Sequence, residues 1–326
     1  MSIELNEDAV LGCALGALVG DVMGSQSEFM EPEEISAKFG WLNTFPGGPG
    51  SDDTILTQLL CDALVRTHGL ASSDDWAREW DGAREESFVE NRERFFPAVL
   101  YIAEKLARDY LPREVSSGSM PSTSSAMAIW PIGVVNYGRP YLASTHAEEV
   151  ASLIHSRELG FCQDAASAVA AAVAIGVSNP ASTRETLLAA IDSLKEVSGK
   201  EMSSLLREAM DLADASSGFE DFRSRYHAKF RRTIFCDSRE TVPAAFAIAL
   251  LANGDVKIGV ESAVNFGRDT DTIACMVGAI TGALSGAKNI PEDWFSRLGQ
   301  EVVEDTRRSV RQLVVAAGER RESLSI

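Results

Sequence analysis

Residues 7–24 read EDAVLGCALGALVGDVMG, and residues 271–286 read DTIACMVGAITGALSG. Neither stretch has a polar face. Small and apolar residues lie all round each one, as in a helix buried among other helices. Working outward, the spacing predicts further helices over 54–69, 73–87, 91–110, 144–155, 161–177, 184–196, 200–213, 219–230, 239–252, 256–266 and 297–318. In 91–110, Phe95, Val99, Ile102, Leu106 and Tyr110 recur at intervals of three and four, a helical stripe. No run of alternating β-branched and aromatic residues is bounded by a hairpin dipeptide. The expected fold class is therefore all-α, one compact helical domain over residues 1–326. Ala, Gly and Ser crowd the inner helices and allow close packing. GWLNTFPGGPGSDD (40–53) and LPREVSSGSMPSTS (111–124) are rich in Gly, Pro and Ser and read as loops.

Composition excludes several classes of function. Apolar residues make up 45%, so the chain as a whole is not disordered. Lys and Arg number 30 against 48 Asp and Glu, a net charge of −18 that argues against a nucleic-acid surface and against docking on an anionic membrane. Cys13, Cys61, Cys162, Cys236 and Cys275 are scattered and odd in number, which suits free thiols in a reducing compartment. MSIELNEDAV lacks the basic-then-apolar order of a signal peptide. The apolar stretches near 164–177 and 243–252 read as too short or too interrupted to span a bilayer. A soluble cytoplasmic protein is the expectation.

Two segments share an unusual pattern. Ser51-Asp52-Asp53-Thr54 leads one apolar helix, and Asp269-Thr270-Asp271-Thr272 leads another. Capping accounts for one or two such residues, because Ser, Asp and Thr satisfy free N–H groups at a helix start. It does not account for paired carboxylates on helices that look buried. Such carboxylates repel one another, and a bound cation would supply the missing countercharge. Carboxylate and hydroxyl oxygens are hard donors that favour Mg²⁺, Mn²⁺ or Ca²⁺ over zinc. A third acidic candidate is Glu28, which follows Gly20-Asp21-Val22-Met23-Gly24-Ser25-Gln26-Ser27; solvated-loop acidity is the simpler reading of it.

These three segments, in this order, resemble the ADP-ribosylglycohydrolase family. The likeness continues through Thr241-Val242-Pro243, Gly267-Arg268-Asp269-Thr270-Asp271-Thr272-Ile273-Ala274, Gly278-Ala279-Ile280-Thr281-Gly282-Ala283 and Ile290-Pro291-Glu292-Asp293-Trp294. It runs from about residue 8 to about residue 297. The resemblance implies an all-α domain with a binuclear magnesium centre (two Mg²⁺ ions, or Mn²⁺). It implies metal ligands at Ser51, Asp52, Asp53, Asp269, Asp271 and Thr272. The family's gating glutamate matches Glu28, and Asp21 matches an aspartate with a supporting role. His155 matches a residue lining the ribose pocket, or else it is a surface histidine near a helix end. A glycosidic bond at ribose C1 breaks through an oxocarbenium-like state. The expected proton-handling group is Asp53, Asp269 or Glu28.

One segment departs from the family pattern. The G-N-G-x-x-M-R loop that wraps a diphosphate is here Ser122-Thr123-Ser124-Ser125-Ala126-Met127-Ala128. Ser122 to Ser125, Met127, His155, Arg268 and Glu28 are the expected substrate contacts. Arg268 is expected to pair with Glu28 or the ligand, or to balance the carboxylates. Trp130 packs on a base or fills the core. The leading expectation is hydrolysis of an ADP-ribosyl conjugate, on a protein or a small molecule. The others are an N-glycosidase acting on a nucleoside or nucleotide, and an ADP-ribose-binding homologue without turnover. The sequence is silent on oligomeric state.

Overall fold

The computed structural model describes residues 4–178 and 182–324, and no β-strand occurs among them. The helices of the first half are α1 (Glu7–Gly24), α2 (Pro32–Phe39), α3 (Asp52–Arg66), α4 (Ser73–Gly82), α5 (Pro97–Leu106), α6 (Pro112–Val115) and α7 (Trp130–Val135). Then come α8 (Pro140–Ala151), α9 (Gly160–Gly176), α10 (Thr183–Asp192), α11 (Lys200–Asp214), α12 (Phe219–Phe230) and α13 (Ser238–Leu251). The chain ends with α14 (Val256–Val264), α15 (Thr270–Ser285), α16 (Glu292–Leu298) and α17 (Gln300–Ser323).

Helices α1 and α15 form the central antiparallel pair. Their seam is made of main chain. Gly12, Gly16, Gly20 and Gly24 recur every fourth residue along α1 and face Gly282, Gly278, Ala274 and Asp271. A Cβ added at Gly16 would lie 2.2 Å from the Gly278 carbonyl oxygen, and one at Gly20 would lie 2.0 Å from that of Ala274. No side chain fits there, so the two backbones touch. This brings the C-terminal end of α1 to the N-terminal end of α15, where Asp21 and Asp271 stand. Helix α3 enters the same corner with its own N-terminus.

The other inner helices wrap this pair. Helix α9 is almost wholly buried. With the preceding turn Arg157–Leu159 the helical span reaches 20 residues and holds an 18-residue stretch of mean hydropathy 1.4, long and apolar enough to cross a bilayer, contrary to the sequence expectation. Burial distinguishes it, because 78% of that stretch lies inside the protein. Helix α17 lies over α1, α3 and α7, and its inward Arg320 is held by Asn136 Oδ1 at 2.9 Å and the Gly69 carbonyl at 2.7 Å. All five cysteines are buried and unpaired.

The structure corrects several predicted boundaries, and proline explains most of them. Helices α2, α6 and α7 were not expected from the sequence, and each carries Pro in its first turn. Proline there loses no hydrogen bond and pre-sets the backbone, so a loop marker becomes a helix start. Helix α6 thus interrupts the expected loop 111–124. The stripe at 91–110 is not one helix. Residues 92–94 form a short turn, and α5 begins at Pro97 because Phe96 is held extended (ψ 139°) ahead of it. Tyr110 accordingly lies outside the helix and is exposed.

Candidate metal centre

Six carboxylates converge where α1, α3 and α15 meet. Asp21, Asp53 and Asp271 each offer an oxygen within 4.8 Å of the others. So do Glu28, Asp269 and Asp271. Asp271 belongs to both groups, so the two triads share a vertex. Asp52 stands beside them, and its Oδ2 accepts the Phe96 N–H at 3.0 Å. Apart from Glu28, which is half-buried, all of these residues are buried.

Local hydrogen bonds set each position. Ser51 is a genuine cap of α3, accepting the Asp53 N–H at 3.2 Å, and its hydroxyl also meets Asp53 Oδ2 at 3.2 Å. Asp21 accepts the Ser51 N–H at 2.8 and 3.0 Å and the Thr54 N–H at 3.2 Å, and it also accepts the Thr54 hydroxyl. Asp269 occupies the cap position of α15 but makes no cap bond. Capping therefore explains Ser51 and not the aspartates. Thr272 lies 3.5 Å from Asp53 Oδ2, and its N–H donates to Asp271 Oδ1 at 2.8 Å. Ser27 ties the loop before Glu28 to the start of α15 through Thr270 at 3.1 Å.

Electrostatics make this corner costly without a countercharge. None of the six carboxylates forms an ion pair with a described residue. Asp53 Oδ1 and Asp269 Oδ2 are buried and have no hydrogen-bond partner among the described residues. Burial, then the neighbouring acids, pushes Asp53, Asp269 and Asp271 well above the ordinary carboxylate range. Glu28 is pushed up to about 7 by burial, Asp52 and Asp21. Asp52 is also pushed up to about 7, by burial first, against the Phe96 N–H. Buried polar atoms nearly always find partners. Orphaned oxygens inside two all-oxygen triads match the donor set of a hard divalent cation.

The remaining sequence candidates fall away from these triads. Ser122, Thr123, Ser124, Ser125 and Met127 are all buried. Their hydroxyls are satisfied internally: Ser122 meets Ser124 and His155 Nε2 at 3.0 Å, Ser125 meets His155 Nδ1 at 2.8 Å, and Thr123 donates to the Cys236 carbonyl at 2.8 Å. His155 is not a surface residue; it is fully buried and braces the loop from beneath. Burial pushes its pKa down to about 3, so it is neutral. Arg268 turns from Glu28 to Glu240, donating to both carboxylate oxygens and to the Arg232 carbonyl at 2.8 Å. Its main chain pins the Glu28 loop, with Phe29 N–H on the Arg268 carbonyl and Arg268 N–H on that of Met30, both at 2.8 Å. Trp130 lines the interior, with its indole N–H unpartnered.

Asp21, expected in a supporting role, accepts from Ser51 and Thr54 and also offers an oxygen within 4.8 Å of Asp53 and Asp271. The sequence reading missed one feature. Three rings gather beside the carboxylates: Phe29 and Phe235 at 4.9 Å, and Phe96 and Phe235 at 5.8 Å. They come from three separate segments, which no local pattern links.

Comparison with known proteins agrees with this architecture. The family model described as ADP-ribosylglycohydrolase matches residues 2–323. The ADP-ribosylhydrolase ARH3 of Mus musculus is 26% identical, covering 87% of this chain and 85% of its own. The ADP-ribosyl-[dinitrogen reductase] glycohydrolase of Rhodospirillum rubrum is 25% identical, covering 95% and 97%. A solved structure titled ADP-ribosylglycohydrolase-related protein complex shares the fold, with TM-score 0.71 at 22% identity over 95% of this chain and 98% of that one. The chain belongs to the ADP-ribosylglycohydrolase family, hydrolases that act on glycosyl bonds.

Proposed function

We propose that this protein is a magnesium-dependent hydrolase that cleaves the glycosidic bond at ribose C1 of an ADP-ribosyl conjugate. The observation that carries this reading is the pair of orphaned oxygens, Asp53 Oδ1 and Asp269 Oδ2, set in two triads joined at Asp271. Asp21, Asp53 and Asp271 would hold one ion, and Glu28, Asp269 and Asp271 the other. Bound magnesium supplies charge to orient vicinal hydroxyls and to acidify water. Glu28 is the proton-handling group best placed for the task. It lies at the accessible edge of the cluster, half-buried where the five aspartates are buried. The loop pinned by Arg268 holds it in register with Asp269. Phe29, Phe96 and Phe235 give the approach an apolar rim.

A second reading is N-glycosidase action on a nucleoside or nucleotide. It is favoured by the Ser122–Ser125 hydroxyls, which are bonded to one another and to His155, and by Ala128 where the family has arginine. The experiment is product release with and without Mg²⁺ from ADP-ribosyl-arginine, ADP-ribosyl-serine and simple nucleosides, in the native protein and in Asp269→Asn. Release of ADP-ribose that requires Mg²⁺ and is lost in the variant supports the first reading. Faster cleavage of nucleosides transfers the support to the second. Calorimetric binding of ADP-ribose with no release from any conjugate overturns both.

A further inference from the structure

A cavity of about 540 Å³ lies between the first half of α17 and the faces of α1 and α3. Its apolar wall is built by Ala14, Ala17, Leu18, Cys61, Val310 and Leu313. None of the six clustered carboxylates lines it. Its volume and mostly apolar lining are those of a small-molecule site.

Two polar groups border this space with unmet demands. Trp130 is 5% exposed, and its indole N–H has no hydrogen-bond partner among the described residues. An indole N–H is a donor only, so what it lacks is an acceptor. Arg94 also borders the cavity. Its partner is the neutral Asn91 side chain at 3.3 Å, and it forms no ion pair among the described residues. The acidic residue at the same edge, Asp305, is already paired with Arg308. The charge of Arg94 acts on Asp52 of the acidic corner and lowers its pKa, yet no carboxylate of the described residues lies within ion-pair distance of the guanidinium, which keeps capacity for one.

We propose that this cavity is a ligand site separate from the acidic cluster, and that its ligand is an apolar monocarboxylate. The hydrocarbon body would lie on the α1 and α17 walls, and the carboxylate would face Arg94 and offer the acceptor that Trp130 lacks. A neutral molecule would leave Arg94 without an ion pair. A cationic one would meet its charge in a low-dielectric space. The site also shares a wall with the acidic corner. Thr54 lines the cavity and at the same time donates to Asp21. Occupancy is thus positioned to bear on the cluster through one side chain.

The test uses decanoate, decanol and decyltrimethylammonium as probes of one chain length, by calorimetry on the full chain in EDTA. Decanoate should bind at one site per chain. Decanol should bind about tenfold more weakly, the worth of one charge-assisted hydrogen bond. Arg94→Gln should weaken decanoate about tenfold and leave decanol unchanged. Trp130→Phe should weaken decanoate by roughly two- to tenfold. Ser309→Trp, which fills the space from a partly exposed position on α17, should remove binding. Because Arg94 is only partly buried, its variant leaves the core intact. The proposal is overturned if decanoate does not saturate below its micellar concentration. It is equally overturned if decanoate and decanol bind alike, or if Arg94→Gln leaves decanoate unaffected.

Discussion

The ion pair between Arg268 and Glu240 gives the sharpest test of the energetics. Both side chains are buried, at 9% and 2% exposure. Replacing Arg268 by alanine leaves Glu240 as a lone acid near Asp269. Removing one partner of a buried pair costs about 3–5 kcal/mol. Here the size can be worked further, because Glu240 has an escape by protonation. Protonating a carboxyl of ordinary pKa 4.5 at pH 7 costs about 3.4 kcal/mol, at about 1.36 kcal/mol per pH unit. At pH 5 the same step costs about 0.7 kcal/mol. The lost bond to the Arg232 carbonyl adds about 1 kcal/mol at either pH. Arg268→Ala should therefore cost about 4 kcal/mol at pH 7 and roughly 2 kcal/mol at pH 5. The sign follows from linkage. In the variant the folded state holds a proton that the unfolded state releases, so its stability falls as pH rises from 5 to 7. Urea unfolding in EDTA, at both pH values, measures the difference. Arg268→Ala/Glu240→Gln should recover most of the loss, because Gln still accepts from Arg232 N–H. An equal cost at the two pH values, or a double variant no more stable than the single one, would refute this account.

The other predictions concern the cluster, the loop brace and the central seam. Burial raises Glu28 and Asp52 to about 7, so the metal-free fold binds protons that the unfolded chain does not, and it loses stability as pH rises from about 4.5 through 7. Mg²⁺ must displace those protons, so the rise in Tm caused by Mg²⁺ should be larger at pH 8 than at pH 5.5; an equal rise would contradict it. Asp269→Asn should stabilise the metal-free protein by about 1–2 kcal/mol in urea unfolding, since it removes a buried repelling charge, while eliminating that Mg²⁺ effect. His155→Phe should cost about 2–4 kcal/mol through the unpaired Ser122 and Ser125 hydroxyls. Because His155 stays neutral in the fold down to about pH 3, its contribution is present above the unfolded value near 6.5 and lost as pH falls below it; the variant's stability should be flatter over that interval. Gly16→Ala should destabilise by more than about 2 kcal/mol in the same assay, the clash with Gly278 outweighing a helix-propensity gain of about 1 kcal/mol.

The all-α class and the two acidic helix starts were legible because each is a local pattern. Fully apolar helices announce burial, and doubled aspartates at their starts announce a charge problem. Asp21 was legible as a residue and not as a partner, because its meeting with Asp53 and Asp271 depends on how three helices cross. Helices α2, α6 and α7 were hidden by their own prolines, which read as breaks when the spacing beyond them is short. His155 and the serines before it could be listed but not aimed. Whether a hydroxyl faces a ligand or a histidine is decided by tertiary packing, and here the histidine takes two of them. Arg268 was expected to pair with Glu28 or the ligand, or to balance the carboxylates; the carboxylate its guanidinium balances is Glu240 on α13, 28 positions away, which no local pattern singles out.

The glycine seam between α1 and α15 carries a further implication. Side chains that meet across a helix pair can change rotamer, and the helices then slide or roll by fractions of an ångström. Where main chain rests on main chain there is no rotamer to change. The span from Asp21 to Asp271 is consequently a property of peptide geometry, as a ruler's length belongs to its material and not to its markings. Substitutions throughout the surrounding core can alter the stability of this protein while leaving that span nearly constant. A drift in the spacing of the two triads is to be sought at the seam glycines, Gly12, Gly16, Gly20, Gly24, Gly278 and Gly282, and hardly anywhere else along the pair.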